Sequence, residues 1–170
     1  KLYISIFSLK YFERINNRIL NLALNAKGYN NFRNFKESGE LYFIKKYLST
    51  SKVNLCLDIG ANKGGYTKML LENTTTDVIS FEPVPLIFKE LEDNLSDFSE
   101  RTQLVNKGVG AKNDILKIYF NEKTLSHHSF LKDINELKSI SNLNFENVNV
   151  TSLDIFCKNN NIKKIDLIKI

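Results

Sequence analysis

From Tyr11 to about Ala26 apolar residues recur at Phe12, Ile15, Ile19, Leu22 and Ala26, while Arg14, Arg18 and Asn21 fall between them. Spacing by threes and fours predicts an amphipathic helix with one greasy face. An Asn-rich loop from Lys27 to Lys36 separates it from a second helix, which opens on Ser38-Gly-Glu-Leu with Ser38 as N-cap and Leu41, Ile44, Tyr47 and Leu48 on one side. Beyond this helix the pattern changes to short apolar runs. Val53 to Ile59 is such a run, followed by a Gly-rich turn and a helical stretch from Tyr66 to Leu71. Val78 to Phe81 is the next, and it must stop at Glu82-Pro83-Val84-Pro85, because proline donates nothing to a sheet ladder. Leu86 to Phe98 returns to helical spacing, and Gln103 to Asn106 is a third strand closed by Gly108 and Gly110. Strand, helix, strand, helix, strand predicts parallel crossovers and an open α/β sheet. Ile115 to Phe120 and Phe145 to Val150 are two further strands, Leu153 to Asn160 a helix and Ile165 to Ile170 a last strand.

Composition adds limits. In 170 residues, 42% are hydrophobic and 25% charged, with 7 Gly and 2 Pro, the balance of a folded domain with a core. Cys56 and Cys157, with His127 and His128, cannot supply a spaced zinc framework or a multi-bridge disulfide scaffold, so a reduced, cytoplasmic protein without a structural metal is expected. No apolar run approaches the roughly 20 residues that span a bilayer. The first residues carry no signal-peptide cleavage pattern. A start at Lys1 without Met and a stop at Ile170 on an apolar run suggest that both ends are cuts. The net charge of +5 is concentrated in the N-terminal third. The other lysines are scattered among Asn and Ile, and a nucleic-acid partner is therefore not expected. The first helix is expected to pack on the domain or on a second subunit; its basic character also suits peripheral contact with an anionic membrane surface.

The chemistry centres on Leu57-Asp58-Ile59-Gly60-Ala61-Asn62-Lys63-Gly64-Gly65-Tyr66-Thr67, directly after the first sheet strand. Gly60 and Gly64 allow a tight turn and close approach of a ligand. The helix after them offers free N–H groups to an anion. Glu82, 22 residues after Gly60 at the end of the second strand, can accept the hydroxyls of a ribose. The pair describes a nucleoside site. A dinucleotide fingerprint would need glycine where Asn62 stands, and no Gly-Lys-Ser/Thr follows to make a P-loop. A cofactor with a ribose and a carboxylate-bearing tail remains, which describes S-adenosylmethionine.

Asp-Ile-Gly-Ala-Asn-Lys-Gly-Gly-Tyr-Thr at 58 to 67, Phe-Glu-Pro-Val-Pro at 81 to 85, Thr-Ser-Leu-Asp at 151 to 154 and Ile-Asp-Leu-Ile-Lys-Ile at 165 to 170 resemble the FkbM family of S-adenosylmethionine-dependent methyltransferases. Ser38-Gly39-Glu40 also fits. The resemblance implies a Rossmann-like class I methyltransferase sheet and methylation of a hydroxyl on a sugar, lipid or small-molecule acceptor. It divides the chain into an N-terminal helical arm, 1–37, and a methyltransferase domain, 38–170, whose later strands lie beyond Ile170. Carried over, Asp58, Gly60, Asn62 and Gly64 line the methionine part of the cofactor and Glu82 its ribose, with Asn106 and Gly108 near the adenine.

Tyr66 is expected in the core rather than on the cofactor. His127 and His128 are read as surface or substrate-loop residues, with a catalytic base as the sharper alternative. Cys56 is a small buried hydrophobe and neither cysteine has a motif that would activate it. Two other functions remain open, an NAD-dependent oxidoreductase and a non-catalytic fragment.

Overall fold

Leu55–Ile59 is apolar at almost every position because it is an inner strand of a parallel sheet. In the computed structural model, residues 7, 8, 10–26, 39–120 and 144–170 are described. The Asn-rich loop, Ser38, the boundary at 37/38, His127 and His128 lie outside them. The chain divides into two compact units, Lys1–Ser51 and Lys52–Ile170.

In the first unit a 3₁₀ turn, Lys10–Phe12, leads into helix α1, Glu13–Ala26, as the periodicity predicts. Ile15, Ile19 and Leu22 of its greasy face are exposed. Helix α2, Glu40–Phe43, takes Gly39 as N-cap, with φ 84° and no side-chain cap. It continues as a π-helical turn, Ile44–Leu48, closed by Ser49 N–H donating to the Ile44 carbonyl at 2.9 Å. The wider turn leaves Ile44 and Leu48 buried but Tyr47 exposed, so the expected apolar side is only partly used.

The second unit contains the sheet. Strands β1 (Leu55–Ile59), β2 (Asp77–Phe81), β3 (Thr102–Val105) and β7 (Leu167–Lys169) lie in the order β3-β2-β1-β7, all pairs parallel. Helix α3, Gly65–Asn73, connects β1 to β2, and α4, Pro85–Leu95, with a 3₁₀ extension to Phe98, connects β2 to β3. Pro85 opens α4, where its missing N–H costs nothing. Helix α5, Leu153–Asn159, precedes β7 and is capped by Ser152, whose Oγ accepts from Ile155 N–H at 3.2 Å. Phe156 of α5 joins Leu57, Ile79 and Phe81 in one core cluster, with the Phe81 and Phe156 rings edge to face at 4.9 Å. Alternation therefore sends Asp58 and Ser80 to the opposite face, where α3 meets them.

The open α/β sheet is the one expected, and the remaining strands form a sheet of their own. Strands β4 (Gly108–Val109), β5 (Asp114–Phe120) and β6 (Asn144–Thr151) form a second, three-stranded sheet in the order β4-β6-β5, parallel at β4 and antiparallel at β5. Gly108 begins a strand where a closing turn was expected. Ile118 and Val148 of this sheet pack on Val84 and Ile87 at the start of α4, immediately after Glu82.

Candidate functional site

Successive strands run from β1 outward to β3, then the chain returns to the other side of β1 as β7. The strand order reverses there, and ligands of open α/β sheets sit in that crevice, beyond the carboxyl ends of the strands. Asp58, near the carboxyl end of β1, is fully buried. Its Oδ2 accepts from Thr67 Oγ1 at 2.7 Å, and the same hydroxyl lies 2.7 Å from Ser80 Oγ. Its Oδ1 has no hydrogen-bond partner and faces the Lys169 ammonium at 3.1 Å. In the sheet register Asp58 stands opposite Ser80 on one side and Lys169 on the other, so one row of polar side chains crosses β2, β1 and β7.

The chain then turns sharply. Gly60 and Ala61 N–H both donate to the Phe81 carbonyl at 2.9 Å, fastening the turn to the end of β2. Gly60 has φ 75°, and a Cβ there would meet nothing within 4 Å, so the space beside it is open. Asn62 also takes a left-handed conformation, φ 52°, which Asn tolerates. Gly64, with φ 83°, ends the turn and starts α3 without a side-chain cap. A Cβ on Gly64 would come within 2.7 Å of Leu91 Cδ1, so its glycine serves α4 packing as well as the turn. The loop is held from outside by Asn94, which donates to the Lys63 carbonyl at 2.9 Å, and by the exposed Lys63–Glu90 ion pair at 2.7 Å.

Glu82 closes the site. It is almost fully buried, and its two oxygens accept from different backbone groups, Oε2 from Asn62 N–H at 2.9 Å and Oε1 from Val84 N–H at 3.0 Å. Burial pushes its carboxyl pKa above the ordinary range, and these two N–H groups oppose that rise. Asn106 donates to the Glu82 and Pro83 carbonyls at 2.8 and 3.2 Å, so its amide clamps the strand end.

The structure thus brings Asp58, Gly60, Asn62, Gly64 and Glu82 together through one turn. Asn106 joins through the backbone of Glu82, whereas Gly108 lies buried in β4, paired with Val150 of the second sheet. Tyr66 is buried, as expected of a core residue. Thr67, Ser80 and Lys169 were missed. A lysine inside the apolar run Leu167-Ile-Lys-Ile was the available signal, since a buried parallel strand rarely carries one without a partner. Among the described residues no group of three or more His, Cys, Asp or Glu could hold a metal ion. No described helix is long and apolar enough to cross a membrane.

No curated protein matches this chain. Solved structures do, three of them over less than half of it. They include 23S rRNA methyltransferase ErmE (25% identity, TM-score 0.35, 45% of this chain and 30% of that one). An S-adenosylmethionine-dependent O-methyltransferase of Thermotoga maritima is also similar (20% identity, TM-score 0.35, 44% and 31%). So is the tRNA (m1A58) methyltransferase TrmI of Aquifex aeolicus (22% identity, TM-score 0.34, 49% and 35%). The aligned parts thus span about a third of those three proteins. Two of the three are RNA methyltransferases by name, and the expectation of no nucleic-acid partner is withdrawn. That expectation rested on lysines scattered along the sequence, whereas nucleic acid meets charge as it is arranged in space. The methyltransferase FkbM domain matches residues 58–170, from the buried aspartate of β1 to the end of β7. With about two thirds of its length inside that match, the chain belongs to the FkbM methyltransferase family.

Proposed function

We propose that this chain binds S-adenosylmethionine at the carboxyl ends of β1, β2 and β7 and serves transfer of its methyl group to a hydroxyl oxygen. The observation that carries the reading is a glycine turn held open between two buried carboxylates, Asp58 and Glu82. The residues suit the cofactor that the family implies. Space stands open beside Gly60, Oδ1 of Asp58 lacks a hydrogen-bond donor, and α3 starts with no side-chain cap. When bound, S-adenosylmethionine supplies an electrophilic sulfonium methyl. The protein's task is then to hold an acceptor oxygen in line with it.

In this reading Asp58, Gly60, Asn62 and Gly64 line the methionine part, and Glu82 accepts the ribose hydroxyls. Each Glu82 oxygen has an acceptor position left after its single backbone bond, so the carboxylate can hold the loop and the ribose together. Asn106 acts one step back, fixing the Glu82 backbone, and Gly108 is left without a cofactor role. A sugar, a lipid or a small metabolite is the acceptor class the family resemblance suggests, and RNA hydroxyls belong in the same screen.

Calorimetric titration tests the reading. S-adenosylmethionine should bind saturably and NAD should not. Glu82→Gln removes the charge from the ribose contact and should weaken binding about tenfold or more, the scale of a hydrogen bond to an ionised group. A folded protein that binds neither ligand overturns the proposal, and saturable NAD binding replaces it with an oxidoreductase.

A further inference from the structure

Lys169 is the last residue of β7, beside Asp58 in the sheet register and on the far side of the point where strand order reverses. Its ammonium is 3.1 Å from Asp58 Oδ1, yet that oxygen has no hydrogen-bond partner, so the pair is an ion contact off hydrogen-bond geometry. The ammonium also lies 5.7 Å from the centre of the Tyr66 ring, in the first turn of α3. Asp58 is fully buried while the Lys169 side chain is 30% exposed, so the cation forms the open end of the pair. An ammonium carries three donors, and no described side-chain hydrogen bond uses them. A lysine that served only to neutralise Asp58 would complete the hydrogen bond to Oδ1, because a buried acceptor left unfilled is costly. Here both poles stand side by side and incompletely satisfied at the place where the crevice opens.

We propose that Lys169 is a cofactor-binding residue that takes the α-carboxylate of the amino-acid head, with Asp58 beneath it as its anchor and the negative pole of the site. A fixed cation next to a fixed anion is the complement of a zwitterion. Ligands that keep the ammonium but lack the carboxylate should therefore lose the contribution of Lys169 alone. The inference rests on the cofactor reading above.

The test compares S-adenosylmethionine with its decarboxylated form by calorimetric titration, which needs no acceptor and no turnover. The protein should prefer the carboxylate-bearing ligand by about tenfold or more, the effect of one charge-assisted hydrogen bond. Lys169→Met should abolish the preference by weakening only S-adenosylmethionine, and Lys169→Arg should restore part of it. Because Lys169→Met leaves Asp58 buried and uncompensated, Asp58→Asn/Lys169→Met provides a variant without that buried charge, and its preference should be lost as well. Equal affinities in the unmodified protein, or a preference that survives in the Met variants, overturn the assignment of Lys169 while leaving the cofactor reading intact. Failure of both ligands to bind the unmodified, folded protein overturns the two together.

Discussion

Gly64 shows how a position in the glycine turn also serves packing. Its left-handed φ of 83° penalises any side chain, and a Cβ would press to 2.7 Å from Leu91 Cδ1 and 3.1 Å from Leu95 Cδ1. Gly60 has the same backbone sign with open space beside it. The two glycines therefore respond differently to alanine. Gly64→Ala combines backbone strain with overpacking and should destabilise by about 2–4 kcal/mol in urea unfolding. Gly60→Ala carries only the backbone cost, about 1–2 kcal/mol, and should act mainly on ligand binding by filling the open space. Equal losses of stability would show that the Leu91 and Leu95 side chains move aside freely.

At the scale of elements, α3 is positioned from both ends. Its start is set by the glycine turn, and its first turn is tied to the sheet by Thr67 through Asp58 and Ser80. Its end is held from the turn that leads into β3, because Arg101 donates to the Leu71 carbonyl at 2.7 Å and the Thr74 carbonyl at 3.0 Å. The Leu71 carbonyl belongs to the last turn and the Thr74 carbonyl to the C-cap, where the helix leaves acceptors unfilled and a cation is favoured. Removing the guanidinium in Arg101→Ala should cost about 1–3 kcal/mol of stability, readable in the unfolding midpoint, with Lys restoring only part of it. An unchanged midpoint would mean that water replaces the guanidinium at no cost. On the neighbouring sheet, Asn113 accepts from Thr151 Oγ1 at 3.0 Å and from Ser152 N–H at 3.2 Å, so the start of α5 is braced by the second sheet.

At the scale of the folded unit 52–170, the ends of the sequence segment meet. Asp166 Oδ2 accepts from Asn54 and Leu55 N–H at 2.8 and 3.3 Å, and Lys164 pairs with Oδ1, so the approach to β7 is locked to the start of β1 across 111 residues. The Lys164 contact and the two N–H groups depress the Asp166 pKa to about 2. A carboxylate held below its unfolded value, about 3.9, stabilises the fold fully above that pH and loses the effect as pH falls through it toward 2. Thermal melts of the protein and Asp166→Asn should accordingly differ most at neutral pH and converge on acidification to about pH 2. A gap that stays constant over that range would assign the effect to packing instead of charge.

Much of this was open to reading in one dimension. Parallel strands buried on both faces must be short apolar runs, and β1 and β2 follow that pattern closely. The glycine turn and the strand end at Glu82 were legible because a tight turn needs left-handed backbone positions and a following proline stops a strand. Other features depend on partners distant in sequence. Residues 108–120 and 144–151 separate into their own sheet because β6 pairs with β4 and β5 and not with the main sheet. Gly39 replaces the expected cap because a left-handed backbone starts α2. Lys169 becomes meaningful only when β7 returns beside β1 and sets it against Asp58, 111 positions earlier. Periodicity and turn chemistry are local, so most of the elements, the turn and the carboxylates could be read along the chain. Strand order, the division into two sheets and the charge opposite Asp58 were decided by tertiary structure, since each arises from which strand lies beside which.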